Sequence, residues 1–275
     1  MTLPPKGPPS SIELSSSATP FKHEPVMLQE ILETFKPIES GLFIDATVGG
    51  AGHAQALLAQ APKRELIGID RDISAVEVAA SRLKGFGDRA QVQHARFDEI
   101  GRIIDEDGRP LNGAIFDLGV SSHQLDTPER GFSHRFTSPL DMRMDATDSL
   151  DASTVINGYD EAELTYLLRN NADERFARRI AQSIISARPI SSTTELAEVV
   201  RGAVPAATRR TGRHPAMRTF QAIRIAVNNE LELIEPALRQ VIERLRPGGR
   251  IVVLSYHSGE DRIVKQVFRE AADGV

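Results

Sequence analysis

In LFIDATVGGAGHA, from Leu42 to Ala54, an apolar run ends at Asp45 and passes into Gly49, Gly50 and Gly52. A glycine turn after a strand lets backbone approach a ligand beside a helix N-terminus. Spacing excludes two phosphate motifs: Gln55 stands where the third glycine of G-x-G-x-x-G belongs, and no Gly-Lys-Ser/Thr follows. A carboxylate at position 45, aimed into the crevice, would repel a pyrophosphate and suit a cation. Asp70 lies 18 residues beyond Gly52, where an acid can accept hydrogen bonds from both ribose hydroxyls of an adenosine. A positively charged adenosine ligand without phosphates points to S-adenosylmethionine; the plainer reading is that Asp45 and Asp70 cap turns.

Asp117, in GAIFDLG, is placed at the same edge, as a substrate and cofactor contact or as another turn cap. SYHSGEDR brings Ser255, His257, Ser258, Asp261 and Arg262 to the end of an apolar segment, where His257 could orient a substrate or take a proton. No G-x-S-x-G elbow accompanies them, which opposes a Ser-His-Asp hydrolase. No His, Asp or Glu spacing suggests a metal. From Arg169 to Arg224 there are eleven arginines, four acidic residues and no lysine, a charge of +7 in a chain whose total is −5. Such clustering is the footprint expected for a phosphate backbone, densest at TRRTGRHPAMR with Arg209, Arg210 and Arg213. Pairing with acids on neighbouring elements is the alternative.

The scaffold for these residues reads as alternating strands and helices. A helical spacing over Pro25–Phe35 precedes strands at Leu42–Val48, Glu65–Asp70, AQVQHARF and Gly113–Gly119, with helices after the glycines and across Ile73–Lys84. That alternation predicts a parallel sheet with helices on both faces. From His123 to Arg218 no strand is evident. Helices are expected at Asp160–Asn171, Asp173–Ala187 and Thr194–Val204, N-capped by Asp160, Asp173 and Thr194. A further helix, interrupted near Pro236, leads into the strand of RPGGRIVVLSY. The expected fold is α/β, with a mainly helical insertion between the fourth and fifth strands. Residues 1–21, rich in proline and serine, read as a disordered leader without a secretory h-region. There is no cysteine and no apolar run of about 18 residues, so a cytoplasmic protein away from membranes is expected.

Taken together, FKHEPVML, DATVGGAGHA, GIDRD, FDLGVSSHQLD, RGFS, PLDMRMD, RTFQAIRIAVNNEL and LRPGGRIVVLSYHSGEDRIVK resemble the RsmH (MraW) family, the bacterial small-subunit ribosomal RNA cytosine-N4 methyltransferases. The resemblance runs from about Lys22 to Phe268. It implies a Rossmann-like class I methyltransferase core at residues 22–124 and 217–275, and an RNA-substrate insertion at 125–216. It implies S-adenosylmethionine contacts from Ala51, Gly52 and His53, Asp70 on the ribose, Phe97 beside the adenine, and further contacts from Asp117 and Gln124. Without it, Phe97 reads as a core residue. The implied partner is small-subunit ribosomal RNA or the assembled small subunit. The family continues past the position of Val275 with a basic segment and a last strand pair, and often pairs its subunits, so a homodimer is compatible with it.

Methylating an exocyclic cytosine amine requires a poor nucleophile to be held in line with a sulfonium methyl while it sheds a proton. Asp117, Ser255 and His257 are the candidates for that work, and no metal is needed. The Pro-Pro-aromatic turn of DNA amino-methyltransferases is missing, since Asp117 is followed by Leu118-Gly119-Val120-Ser121-Ser122. Tyr256 is therefore the candidate for stacking on the base, with Phe132 and Phe136 behind it, unless these rings merely pack. Asp141 and Arg143 either touch RNA or form, with Asp145, a salt-bridged loop clamping the insertion. Two other functions stay open. A nicotinamide oxidoreductase is opposed by Gln55 and Asp45; a non-catalytic RNA-binding or ribosome-assembly factor would retain the cofactor fold.

Overall fold

The computed structural model describes residues 25–206 and 214–274. The expected leader and the arginines at 209, 210 and 213 lie outside the described residues. The chain opens with α1 (Leu28–Phe35) and then alternates β1 (Ser40–Asp45), α2 (Gly52–Gln60), β2 (Lys63–Asp70), α3 (Ile73–Leu83), β3 (Ala90–His94), α4 (Ile100–Asp107) and β4 (Leu111–Asp117). α5 (Ser122–Asp126), α6 (Ala152–Gly158), α7 (Glu161–Ala172), α8 (Ala177–Ala187), α9 (Thr193–Ala203) and α10 (Met217–Asn228) follow before α11 (Glu230–Arg244), β5 (Leu245–Leu254) and α12 (Ser258–Asp273).

The five strands form one parallel sheet in the order β3-β2-β1-β4-β5. The fold is thus the expected α/β class, with helices between β4 and β5. Leu42 to Asp45 and Leu111 to Phe116 are buried without alternation, as expected where helices cover both faces. α4 shows the matching helical pattern, burying Ile100, Ile103 and Ile104 against the sheet. The chain winds one way from β1 through β3 and the other way from β4 to β5. Their carboxyl ends therefore diverge beside β1 and β4, leaving a crevice at that edge.

The helices between β4 and β5 bury a core of their own, in which Ile156, Leu164, Leu168, Ile180, Leu196, Val200 and Ile223 pack together. Among the described residues, only an isolated bridge between Pro139 and Ser192 interrupts the strand-free stretch. Asn228 ties this core to the preceding loop: its Oδ1 accepts from Met144 N at 2.7 Å and its Nδ2 donates to Met142 O at 2.7 Å.

Three local expectations need correction. The break in the late helix falls at Asn229, which takes a left-handed φ of 53°, while Pro236 sits within an unbroken α11. Asn tolerates that conformation, and Pro236 lies on the exposed face, where the carbonyl it frees can reach water. Asp173 is the left-handed residue closing α7 rather than the N-cap of α8. Ser192, not Thr194, caps α9 by accepting from Glu195 N. Asp160 caps α7 as expected, in a capping box with Glu163. No helix among the described residues is long and apolar enough to cross a membrane.

Candidate active site

The carboxyl ends of β1, β2 and β4 open into a cleft of about 1300 Å³, walled on its far side by the helical insertion. Its floor is the turn after β1, where Gly49 adopts a φ of 47° and Ala51 a φ of 59°. Gly52 must be glycine for a different reason: a Cβ there would meet Pro25 Cγ at 2.4 Å. Gly49, Gly50, Gly52 and His53 line the cleft. Ala51 does not; its methyl is fully buried in the core, so only the backbone turn it shapes can bear on a ligand.

Asp70, at the end of β2, holds this turn, accepting from Gly49 N and Asp72 N at 2.9 Å each, one bond to each oxygen. It also lines the cleft, where burial pushes its carboxyl above the ordinary range against those two amides. Phe97, just beyond β3, lines the same end, its ring edge-on to Phe116 at 6.2 Å. Gln124 is buried and bridges: its Oε1 accepts from Ser121 N at 3.1 Å and its Nε2 donates to Asp72 at 2.9 Å. It reaches the cleft only as part of that wall.

Asp45 is where the sequence reading fails. Its side chain is 1% exposed and lies behind the cleft, not in its lining. Burial, with the charges of Asp117 and Asp70, pushes its carboxyl from 3.8 up to about 7. The strand-end acids that line the cleft are therefore Asp70 and Asp117. Linkage gives a check. Between about pH 4 and 7 the native state holds a proton that the unfolded chain has released, so stability falls as pH rises through that window. Asp45→Asn, which keeps an acceptor for Thr47 N, should stabilise the fold by about 4 kcal/mol at pH 8 and little at pH 4. Thermal melts across this range check it; equal pH slopes for both proteins would remove the effect.

Asp117 ends β4 at the centre of the cleft. Its Oδ1 accepts from Tyr256 OH at 2.6 Å, and its Oδ2 lies 3.7 Å from His53 Nδ1. Burial, then Asp117, holds the Tyr256 phenol well above its usual range, so it stays protonated. The Tyr256 ring is half exposed beside Gly119, in position to meet a ligand. His257 is committed elsewhere: Nδ1 accepts from Gly259 N at 3.2 Å, and the buried Nε2 sits 3.2 Å from Glu260 Oε1, off the line of a good hydrogen bond. Ser255 is exposed and outside the cleft lining.

Asp141 and Arg143 also lie outside that lining. Arg143 grips Asp141 through two bonds at 2.9 and 2.8 Å and spends its remaining nitrogen on Ala146 O and Asp148 O. This is a salt-bridged loop outside the cleft. Phe132 is buried in the cleft wall, and Phe136 does not line it.

Sequence reasoning passed over Glu260 and the insertion wall. Glu260 is buried, accepts from Tyr256 N at 2.7 Å, and is held in the anionic form against burial by that amide, His257 and Arg224. Its spacing with Val264 and Val267, i, i+4 and i+7, marks the inward face of α12 and could have found it. On the opposite wall His134 stacks on His214 at 4.3 Å, and Arg135, Arg175 and Arg218 line the opening. Arg175 has no carboxylate within ion-pair distance among the described residues; it lies over the Phe176 ring. By contrast, the arginines at the glycine end are already engaged: Arg71 with Asp148, Arg96 with Asp98, and Arg82 with Gly50 O and Gln55.

A parallel sheet of this order, with a glycine turn after β1 and acids ending β2 and β4, is the architecture of the class I methyltransferases. The chain belongs to the MraW methylase family, whose pattern it matches over residues 20–275. The ribosomal RNA small subunit methyltransferase H of Heliobacterium modesticaldum is 47% identical, aligned over 92% of this chain and 83% of its own. That of Thermobifida fusca is 49% identical over 90% and 77%, and that of Mycobacterium bovis 48% over 93% and 68%.

Proposed function

We propose that the protein transfers the methyl group of S-adenosylmethionine to the N4 amine of a cytosine in small-subunit ribosomal RNA, in the cytoplasm. The observation that carries this reading is the position of Asp117 in the cleft lining, its carboxylate set between Tyr256 OH and His53 beside the glycine turn. The relatives' names supply the RNA; the cleft supplies the chemistry. Bound at the glycine turn, the cofactor would supply an electrophilic methyl on a sulfonium.

The residues present fit that group. Asp70 and Asp117 put negative charge around the cleft, and the mutual repulsion that helps to raise Asp45 would be relieved by a cation. The engaged arginines at that end leave no free cradle for a pyrophosphate, which also speaks against a nicotinamide dinucleotide. Asp70 keeps lone pairs for ribose hydroxyls, and Phe97 offers an apolar surface to adenine. On the other side Asp117 accepts from the amine, aligns it, and stabilises the positive charge that develops on nitrogen. Tyr256 anchors Asp117 and presents its ring to the base. Arg135, Arg175 and Arg218 meet the RNA backbone, and a base already unpaired in folded RNA requires least unstacking.

Calorimetry with S-adenosylmethionine, then transfer to purified small subunits lacking the mark, tests the reading. Nucleoside analysis should return N4-methylcytidine; binding without transfer would instead favour an assembly factor. Asp70→Ala should weaken cofactor binding by about 1–3 kcal/mol, the usual loss for a charged hydrogen-bond partner. Unchanged affinity would remove Asp70 from the cofactor site.

A further inference from the structure

We infer that His53 takes the proton released by the acceptor amine and that Asp117 holds the resulting imidazolium, an inference that rests on the methyl-transfer reading above. His53 sits in the first turn of α2, buried but open to the cleft. Its Nε2 lies 2.9 Å from the carbonyl oxygen of Val26. A carbonyl only accepts, so Nε2 carries the ring proton and Nδ1 of the neutral ring keeps its lone pair. That lone pair faces Asp117 Oδ2 across 3.7 Å.

Two acceptors opposed in this way call for a donor. Either a proton on Nδ1 or an N–H placed between them satisfies both, and an exocyclic amine, with two N–H groups, can serve each acceptor at once. Tyr256 OH, bound to Asp117 Oδ1 at 2.6 Å, keeps the carboxylate from turning away. The residues named from sequence for this task are worse placed. His257 lines the cleft, but its Nδ1 is taken by Gly259 N and its Nε2 is buried against Glu260, and Ser255 is outside the cleft.

The amine lone pair forms the new N–C bond as the C–S bond breaks, its electron pair remaining on sulfur. One proton of the now positive nitrogen moves to Nδ1, and the electrons of that N–H bond stay on nitrogen. The result is a neutral secondary amine, a thioether, and an imidazolium opposite Asp117 that returns its proton to water. The groups facing this ring are Asp117 from β4, Tyr256 beyond β5 through Asp117, Asp45 from β1 through the same carboxylate, and the uncharged Val26 carbonyl ahead of α1.

The test compares wild type with His53→Gln and His53→Asn for cofactor affinity by calorimetry and for single-turnover methylation of unmethylated small subunits between pH 5.5 and 9. A second arm reads the ring tautomer of His53 by ¹⁵N NMR in the unmutated protein, which does not depend on how a variant folds. Turnover at saturating donor should fall about 100-fold, the scale of general-base catalysis, and more donor should not restore it. The pH profiles of wild type and variants should differ in shape as well as in height. The wild-type ring should show Nε2–H with a bare Nδ1. Wild-type turnover in His53→Gln, loss of affinity that saturating donor repairs, or a proton on Nδ1 of the resting ring would each overturn the assignment. A wild-type protein that binds donor and transfers nothing would sink the methyl-transfer reading itself, a result distinct from all of these.

Discussion

Asp117→Asn is expected to lower methyl transfer about 1000-fold while cofactor affinity changes no more than a few-fold. Asparagine is isosteric, and its Oδ1 still accepts from Tyr256 OH, which the wild-type carboxylate binds at 2.6 Å. The frame of the cleft should therefore survive. Two things change at the reacting edge. The negative charge that stabilises a developing cation is gone, and an N–H₂ group now points where Oδ2 lay, 3.7 Å from His53 Nδ1. That group supplies the donor missing between the two acceptors and so occupies the place of the substrate amine. Single-turnover assays on unmethylated small subunits, beside calorimetry with the donor, check both halves. The contrast with Asp70 is the informative part, because the two acids end β2 and β4 on either side of β1 and are assigned opposite sides of the cleft. If Asp117→Asn lost affinity in proportion to turnover, Asp117 would be a cofactor ligand and nothing more.

That edge was legible in the sequence because an acid directly after a buried strand of a parallel sheet lies where ligands bind. Asp70, Asp117 and the glycines were found by that logic. Asp45 satisfies the same logic and fails. β1 is covered on both faces, so its burial does not alternate, and no pattern in LFID says which way the last side chain turns. The arginine cluster was visible as composition, but composition carries no partners. Arg143 is consumed by Asp141 two residues away, whereas Arg175, beside Glu174, has no ion pair among the described residues. His257 drew attention as a histidine at an active edge, although its ring caps α12. His53 was noticed only as part of a motif. What distinguishes it is a contact to the Val26 carbonyl, 27 residues back along the chain, which no local spacing reveals.

A charged residue far from the cleft should control stability without touching chemistry. Arg64 is 1% exposed, near the start of β2, at the opposite end of the sheet from the site. Its Nε donates to Ile38 O at 2.8 Å, Nη2 to Phe35 O at 2.8 Å, and Nη1 to Leu57 O at 3.1 Å and Gln60 Oε1 at 2.7 Å. The guanidinium thereby joins the ends of α1 and α2 to β2, with the Phe43 ring 5.3 Å away. No carboxylate lies within ion-pair distance among the described residues, and burial lowers the guanidinium's pKa from its ordinary value. Two effects compete on replacement by methionine. Removing a desolvated charge is favourable, but Ile38 O and Leu57 O lose this donor, Phe35 O keeps only Ile38 N, and each lost bond costs about 1–3 kcal/mol. Charge-assisted bonds spread over all three nitrogens already offset much of the desolvation, so the loss should win. Arg64→Met should cost about 3–5 kcal/mol and lower the melting temperature by roughly 10 °C. Arg64→Lys should recover less than half of it, since one ammonium cannot reach four acceptors on separate elements. Urea unfolding measures the loss, and calorimetry well below the melt should find cofactor affinity unchanged. A fully stable Arg64→Met would mean that water, rather than the guanidinium, can satisfy those carbonyls.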